Sequence, residues 1–248
     1  MTSRSGRIIA FAHRGARAER PENTIEAFMR ALELGADGLE SDAWVTADGE
    51  VVLDHDGVIG PVWRRRAIPA CTRDELPSHI PSLAELYRAC GTDYELSIDV
   101  KDPAALTPLV EVARRAGAAS RLWLCHHDWR PMAAWHRVAP ECHLVESSNL
   151  AWMKEGLAAR VSALAAAGFD ALNLHRSQWS EDAVREVHSV GLRAFGWDAQ
   201  TSDDLAGLVK AGVDGVYSDH VDRMVSALAA PAPDAVPPIE PPGSREPA

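Results

Sequence analysis

The chain has 248 residues, of which 46% are hydrophobic, and carries a formal net charge of −11 at pH 7. This length suits one large domain or two small ones, and the apolar content is sufficient for a sizeable core. The acidic balance, interrupted only by the basic tract "WRRR" at 63–66, argues against a nucleic-acid partner.

Apolar runs in the sequence are short. None approaches the roughly 18 residues that a membrane span needs, and the five apolar residues before His13 are fewer than a signal-peptide core contains. We therefore expect no stable membrane insertion and a cytoplasmic location. Four scattered cysteines without a CxxC pair are expected to be reduced and structural.

Short apolar runs alternate with helical patterns along the chain. Asn23, with Glu26 three residues later, is the expected N-cap of the first helix, and Ser180 and Thr201 open later helices whose first turns are acidic. An extra strand is expected at 50–55. The main strands are predicted at 7–13, 37–43, 94–100, 121–127, 142–148, 170–175, 193–198 and 214–219.

This alternation predicts the fold. Eight strands separated by helices within about 230 residues are typical of a (β/α)₈ TIM barrel, here a single domain over 1–230. The repeated pattern in "LGADGLESD" (34–42) and "AGVDGVYSD" (211–219) supports it, and an open doubly wound sheet is the alternative. The Pro-rich segment 231–248 is expected to be a disordered tail.

Charged and imidazole side chains recur where the predicted strands end, which is where barrel enzymes carry their catalytic groups. His13 and Arg14 follow the first strand, and His55 follows the extra strand. Two histidines beside an arginine indicate an acid–base pair with a phosphate-binding fork, although a lone histidine is usually structural. The residues considered as weaker candidates for the pocket lining are His126, His127, His175 and Asp219.

Two pairs of residues with strand spacing point to a metal. Glu40 and Asp42 are two apart and so face the same side, where two carboxylates repel unless a cation lies between them. Asp99 and Lys101 have the same spacing, with a structural Asp–Lys pair as the alternative. Carboxylate ligands favour Mg²⁺ or Ca²⁺ over zinc, and together with the histidines they predict metal-assisted chemistry on a phosphate ester.

The segment "AHRGARAERPENTIEAFMRALELGADGLESDAWVTADGEVVLDHD" resembles the glycerophosphodiester phosphodiesterase family. The family pattern HRG, PENT, E-x-D and T-x-DG-x-x-V-x-x-HD appears in order over residues 12–56. The resemblance continues more weakly through "IPSLAEL" (80–86), "ELSIDVK" (95–101) and "AGVDGVYSD" (211–219). It implies a (β/α)₈ barrel that hydrolyses small-molecule glycerophosphodiesters to glycerol 3-phosphate and an alcohol.

The resemblance also implies site roles. A divalent cation would be held by Glu40, Asp42 and Asp99, and His13 and His55 would be the acid–base pair. The residues expected to contact or neighbour the substrate are Arg14, Lys101, Glu22, Asn23 and Trp197.

Three stretches of the sequence depart from the family pattern. Asp99 stands where Glu is usual, "GVIGPVWRRR" replaces an Arg-Thr-Thr stretch after His55-Asp56, and "GWDAQT" replaces W-T-V-N. These departures leave open which alcohol the reaction releases. The oligomeric state and the nucleophile, either water or the glycerol 2-hydroxyl, are also left open by the sequence. Alternatives are a phospholipase D-type hydrolase of lysophospholipids and a non-catalytic phosphometabolite-binding barrel. The "WRRR" tract is either a solvated loop face or a contact for an anionic substrate.

Overall fold

The computed structural model describes residues 7–229. These residues form eleven strands: β1 (Ile9–His13), β2 (Gly38–Val45), β3 (Val51–Leu53), β4 (Val58–Ile59), β5 (Arg66–Ala67), β6 (Glu95–Val100), β7 (Leu122–His126), β8 (His143–Ser147), β9 (Ala171–His175), β10 (Arg193–Trp197) and β11 (Gly215–Ser218). The α-helices are α1 (Ile25–Glu33), α2 (Leu83–Cys90), α3 (Leu106–Arg115), α4 (Trp129–Met132), α5 (Leu157–Ala166), α6 (Glu181–Ser189), α7 (Ser202–Ala211) and α8 (Val221–Ala229).

Eight parallel strands close into a barrel. Their order is β1-β11-β10-β9-β8-β7-β6-β2, and β1 also pairs with β2, with His13 opposite Glu40. The predicted (β/α)₈ barrel is therefore confirmed, and the open sheet is excluded. The predicted tail at 231–248 lies outside the described residues. Among the residues described, no helix combines the length and apolar character needed to cross a bilayer.

Aromatic side chains fill the barrel interior. Phe11 stacks on Tyr217 with ring centroids 4.7 Å apart and meets Phe195 edge to face. Glycines make room for these rings, because a Cβ on Gly38 or Gly215 would lie 2.6 Å or 2.7 Å from a phenylalanine ring. These rings fill the interior of the barrel. Beyond them, at the carboxyl ends of the strands, the barrel opens into a cavity that we call the cup.

The start of α1 differs from the prediction. Thr24, not Asn23, is the N-cap, and its hydroxyl accepts a hydrogen bond from the Ala27 N–H at 3.2 Å. Asn23 adopts a left-handed backbone with φ 54° and accepts a hydrogen bond from the Ser41 hydroxyl at 2.7 Å. Asparagine tolerates a left-handed backbone. In this conformation the Asn23 side chain contacts β2 and does not cap the helix. The predicted caps Ser180 and Thr201 are confirmed.

An insertion follows β2. The extra strand predicted at 50–55 is β3, which is antiparallel to β2 with Ala43 opposite Leu53. A hairpin of β4 and β5 comes next. Val52, Ile68 and other apolar side chains of the insertion form a small core of their own. All four cysteines are free, as predicted.

Candidate active site

The carboxyl ends of the barrel strands surround a cavity of about 410 Å³. The predicted site residues that line it are His13, Arg14, Glu40, Asp42, His55, Asp99, Lys101 and Trp197. Glu22 and Asn23 are not among the lining residues. Of the weaker candidates, Asp219 lines the cavity, whereas His126, His127 and His175 do not.

The His-Arg-Gly turn after β1 owes its shape to two left-handed residues. Arg14 has φ 55° and Gly15 has φ 78°. Only glycine fits the second position, because a Cβ there would lie 2.6 Å from the backbone of Ala27. The turn directs the Arg14 N–H toward Glu40, whose Oε2 accepts it at 2.9 Å. Backbone strain in a non-glycine residue at such a rim is typical of functional sites.

His55 reaches the cup because β3 runs back along β2. The Asp54 N–H donates to the Asp42 carbonyl at 3.0 Å. This hydrogen bond holds residue 54 beside Asp42, and His55 is the next residue. A histidine that lies about 40 residues after His13 in sequence is thereby brought to the same cavity. The rule that catalytic residues follow the barrel strands would not place His55 in the cup, because β3 is not one of the eight barrel strands.

Three carboxylates belong to two neighbouring strands. Glu40 and Asp42 point into the cup from β2, and Asp99 on β6 lies opposite Asp42 in the strand register. Glu40 and Asp42 are only 8% and 2% exposed. Burial, with the nearby Asp42 charge as a further contribution, raises the pKa of Glu40 to about 7. This carboxylate pair therefore needs positive charge close by.

Two cationic side chains meet that need in part. Lys101 Nζ donates to Asp99 Oδ2 at 2.5 Å and lies 3.1 Å from Asp42 Oδ1. Arg14 Nε lies 3.3 Å from Asp42 Oδ2, a buried oxygen that has no hydrogen-bond partner among residues 7–229. The Asp–Lys pair considered from the sequence is thus present, and it lies inside the cup.

The three carboxylates predicted to bind a metal are of the kind that hard cations prefer. All three predicted ligands are carboxylates, and in the described part of the chain one buried oxygen of Asp42 is left without a hydrogen bond. Within residues 7–229, however, no group of three or more His, Cys, Asp or Glu side chains is arranged to hold a metal. Lys101 bridges Asp42 and Asp99 instead, so a cation would have to draw these carboxylates together.

His13 is held by a carboxylate from the opposite end of the chain. Its Nδ1 lies 2.7 Å from Asp219 Oδ1, just after β11, and its Nε2 lies 3.8 Å from Glu40 Oε2. Burial acts to lower the pKa of His13, but the Glu40 charge and the Asp219 hydrogen bond outweigh it, so the pKa is raised. Asp219 is itself fixed, since its N–H donates to Gln200 Oε1 at 3.1 Å.

His55 has a similar partner. Its Nδ1 lies 2.9 Å from Asp56 Oδ1, at an exposed part of the rim. In both pairs the carboxylate faces Nδ1 and therefore favours the tautomer with its proton on that atom. Nε2 of each neutral imidazole is then free to accept a proton, or to donate one once the ring is charged.

The remaining predicted residues support or border the cup. Glu22 accepts from Arg14 at 3.1 Å and pairs with Arg17 at 2.9 Å, so it orients Arg14 from behind. Trp197 ends β10 and is 39% exposed, with its ring edge-on to His175. Sequence reasoning missed Arg17, which lines the cup; its position four residues beyond His13 was the available signal.

Comparisons with known proteins bear on this site. The model of the "Glycerophosphoryl diester phosphodiesterase family" matches residues 13–82 and 110–223. The chain belongs to this family. A glycerophosphodiester phosphodiesterase from Caldanaerobacter subterraneus is 26% identical over 253 residues, covering 90% of this chain and 98% of that protein. As a family member, the chain is an enzyme, a phosphoric diester hydrolase.

Solved phosphodiesterases share the fold. The Thermotoga maritima glycerophosphodiester phosphodiesterase superposes with a TM-score of 0.76 at 24% identity, covering 89% of this chain and 98% of the other. An Oleispira antarctica phosphodiesterase, solved in complex with the product sn-glycerol-3-phosphate, superposes with a TM-score of 0.77 at 18% identity, covering 90% and 97%. The family match skips residues 83–109, which include Asp99 and Lys101.

Proposed function

We propose that this phosphodiesterase hydrolyses glycerophosphodiesters to glycerol 3-phosphate and an alcohol. The observation that carries the proposal is the pair of histidines on one cup, His13 and His55, each with a carboxylate on Nδ1. Such pairs suit proton transfer in both directions. The names of the relatives and the glycerol phosphate in the Oleispira enzyme support the choice of substrate.

Arg14 and Lys101 are proposed to contact the phosphate. Both cations line the cup and already lie against Asp42, so their charges are fixed without a ligand. The guanidinium of Arg14 presents a planar donor set, which suits two phosphate oxygens, and Lys101 adds a point charge. Trp197 would border the substrate at the rim, and Glu22 would keep Arg14 in place.

Glu40, Asp42 and Asp99 are proposed to hold a divalent cation, Mg²⁺ or Ca²⁺. A bound cation would supply positive charge that stabilises the phosphoryl oxygens in the transition state. The raised pKa of Glu40 and the unpartnered oxygen of Asp42 support a cation between these residues. Aspartate at 99 is one methylene shorter than glutamate, so its contact could include a water, and Ca²⁺ tolerates such loose geometry better than Mg²⁺.

The two imidazoles would divide the proton transfers. One Nε2 takes the proton of the attacking hydroxyl, and the other, as imidazolium, gives its proton to the alcohol oxygen as the P–O bond breaks. Water as nucleophile gives glycerol 3-phosphate directly. Attack by the glycerol 2-hydroxyl gives a cyclic phosphate, which water then opens with the same histidines in exchanged roles.

Turnover of a panel of glycerophosphodiesters and lysophospholipids, with and without a chelator, tests the proposal. Glycerophosphodiester turnover that a chelator abolishes and added divalent cation restores is the expected result. Preferential cleavage of lysophospholipids would favour the phospholipase D-type alternative. Binding of glycerol phosphate with no turnover of any substrate would favour the non-catalytic one. The predicted cytoplasmic location is a separate question, tested by cell fractionation.

A further inference from the structure

The hairpin of β4 and β5 carries an exposed apolar tip. Val62 and Trp63 lie between the two strands and are 77% and 87% exposed, the highest values among the large hydrophobic side chains of residues 7–229. An indole that is 87% exposed keeps most of its apolar area in water, which is unfavourable. Tryptophan is the side chain enriched where proteins meet the headgroup region of a bilayer.

The same tip is basic. Arg64 and Arg65 follow Trp63, and in the described part of the chain neither lies within ion-pair distance of an acidic side chain, whereas Arg66 pairs with Glu75 at 2.9 Å. Arg64 and Arg65 therefore give this tip a positive charge on a chain whose formal net charge is −11. Guanidinium groups beside an exposed indole are suited to lipid phosphates and the headgroup layer together.

The hairpin is rooted at the mouth of the active site. Gly57 directly follows His55 and Asp56; its N–H donates to Asp54 Oδ2 at 2.7 Å, and its carbonyl accepts from the Ile68 N–H at 2.8 Å. A Cβ on Gly57 would lie 2.3 Å from the Trp44 ring, so the root is tightly packed. The hairpin therefore joins the barrel two residues after His55, which lines the cup.

We propose that residues 58–67 dock this enzyme onto anionic phospholipid bilayers, with Val62 and Trp63 in the headgroup layer and Arg64 and Arg65 on lipid phosphates. Charge complementarity selects an anionic bilayer over a neutral one. Two apolar side chains stand beside two arginines that make no ion pair within residues 7–229, and this combination selects a bilayer over a soluble polyanion, which would leave the indole in water. Docking is independent of which phosphodiester the cup cleaves.

Co-sedimentation with vesicles tests the proposal. The full-length protein should partition onto equimolar phosphatidylcholine–phosphatidylglycerol vesicles and much less onto phosphatidylcholine alone. The double variant Arg64→Gln/Arg65→Gln should bind the anionic vesicles about 25-fold more weakly, since each surface arginine contributes roughly fivefold. The fluorescence of the wild type should shift to the blue on anionic vesicles, and Trp63→Ala should both weaken binding and abolish that shift.

A matched control removes the same charge elsewhere. Arg115→Gln/Arg185→Gln replaces two helical arginines whose side chains are 70% and 68% exposed, and it should leave vesicle binding unchanged. Equal loss in this control, equal binding to neutral vesicles, or binding to heparin without binding to vesicles would each overturn the proposal.

A soluble substrate separates docking from catalysis. Trp63→Ala and Arg64→Gln/Arg65→Gln should turn over glycerophosphocholine at the wild-type rate, because neither the indole nor these guanidiniums line the cup. A large loss there would mean that the hairpin serves the substrate pocket and not a bilayer. Vesicle binding by a protein that cleaves no glycerophosphodiester would refute the proposed function and leave the docking surface standing.

Discussion

Replacing Asp219 by asparagine isolates the role of the carboxylate that faces His13. The two side chains meet at 2.7 Å, and asparagine keeps the size of aspartate while removing its charge. A hydrogen bond to a charged group contributes about 1.5–3 kcal/mol, and a rate changes tenfold for each 1.4 kcal/mol. If that bond strengthens as His13 becomes charged, its loss should lower kcat about 10- to 100-fold.

The loss of activity in Asp219→Asn should be accompanied by a change in the tautomer of His13. An asparagine amide can donate to Nδ1, which would favour the tautomer with its proton on Nε2 and remove the acceptor that faces the cup. Nitrogen NMR of the histidine ring should report this change of tautomer. KM should change less than kcat, because the orientation of His13 is what the carboxylate provides.

A second Asp–His pair provides the control. Asp214 Oδ2 lies 2.7 Å from His188 Nε2, and neither residue lines the cup. Asp214→Asn should leave kcat unchanged even if it lowers Tm. If Asp219→Asn retains kcat within about twofold of wild type, then either His13 transfers no proton or Asp219 does not orient it, and the account of this pair is wrong.

Three further predictions concern the histidines, the cation and a buried ion pair. His13→Ala or His55→Ala should lower turnover of glycerophosphocholine about 10²–10⁴-fold, and a near wild-type kcat in either variant would remove that residue from the mechanism. Asp99→Ala should weaken divalent-cation affinity at least about tenfold in calorimetric titration while Asp99→Glu retains it; unchanged affinity in the alanine variant would place the third ligand elsewhere. Glu146→Ala should lower Tm by about 6–15 °C in thermal unfolding, because the buried Arg160 loses its fully buried partner; a shift of about 1 °C would show that Glu146 is dispensable.

The barrel could be predicted because its signal is repeated along the chain. Each helix end, glycine turn and buried strand recurs with similar spacing, so errors at single boundaries do not change the architecture. The same logic located most of the cup, since parallel strands bring their carboxyl ends together whatever the details of packing. Glu40 and Asp42 could be placed from the sequence because residues two apart on a strand face the same side, here the inside of the barrel.

Local pairings could not be predicted in the same way. The partners His13 and Asp219 are 206 residues apart, and only closure of β1 against β11 brings them together. Asn23 and Thr24 are both good caps by residue type, and the choice between them depends on the hydrogen bond from Ser41 on another strand. Such contacts depend on tertiary geometry that no sequence window contains.

Glycerophosphocholine hydrolysis followed by phosphorus NMR tests the central claim most directly, because the position of the phosphate in the products identifies the bond that breaks. With a divalent cation present, we predict that the phosphorus signal of glycerophosphocholine is replaced by that of glycerol 3-phosphate, that free choline appears in the proton spectrum, and that His13→Ala slows both changes about 10²–10⁴-fold. Formation of phosphocholine and glycerol, or no turnover by the wild-type enzyme, would contradict it.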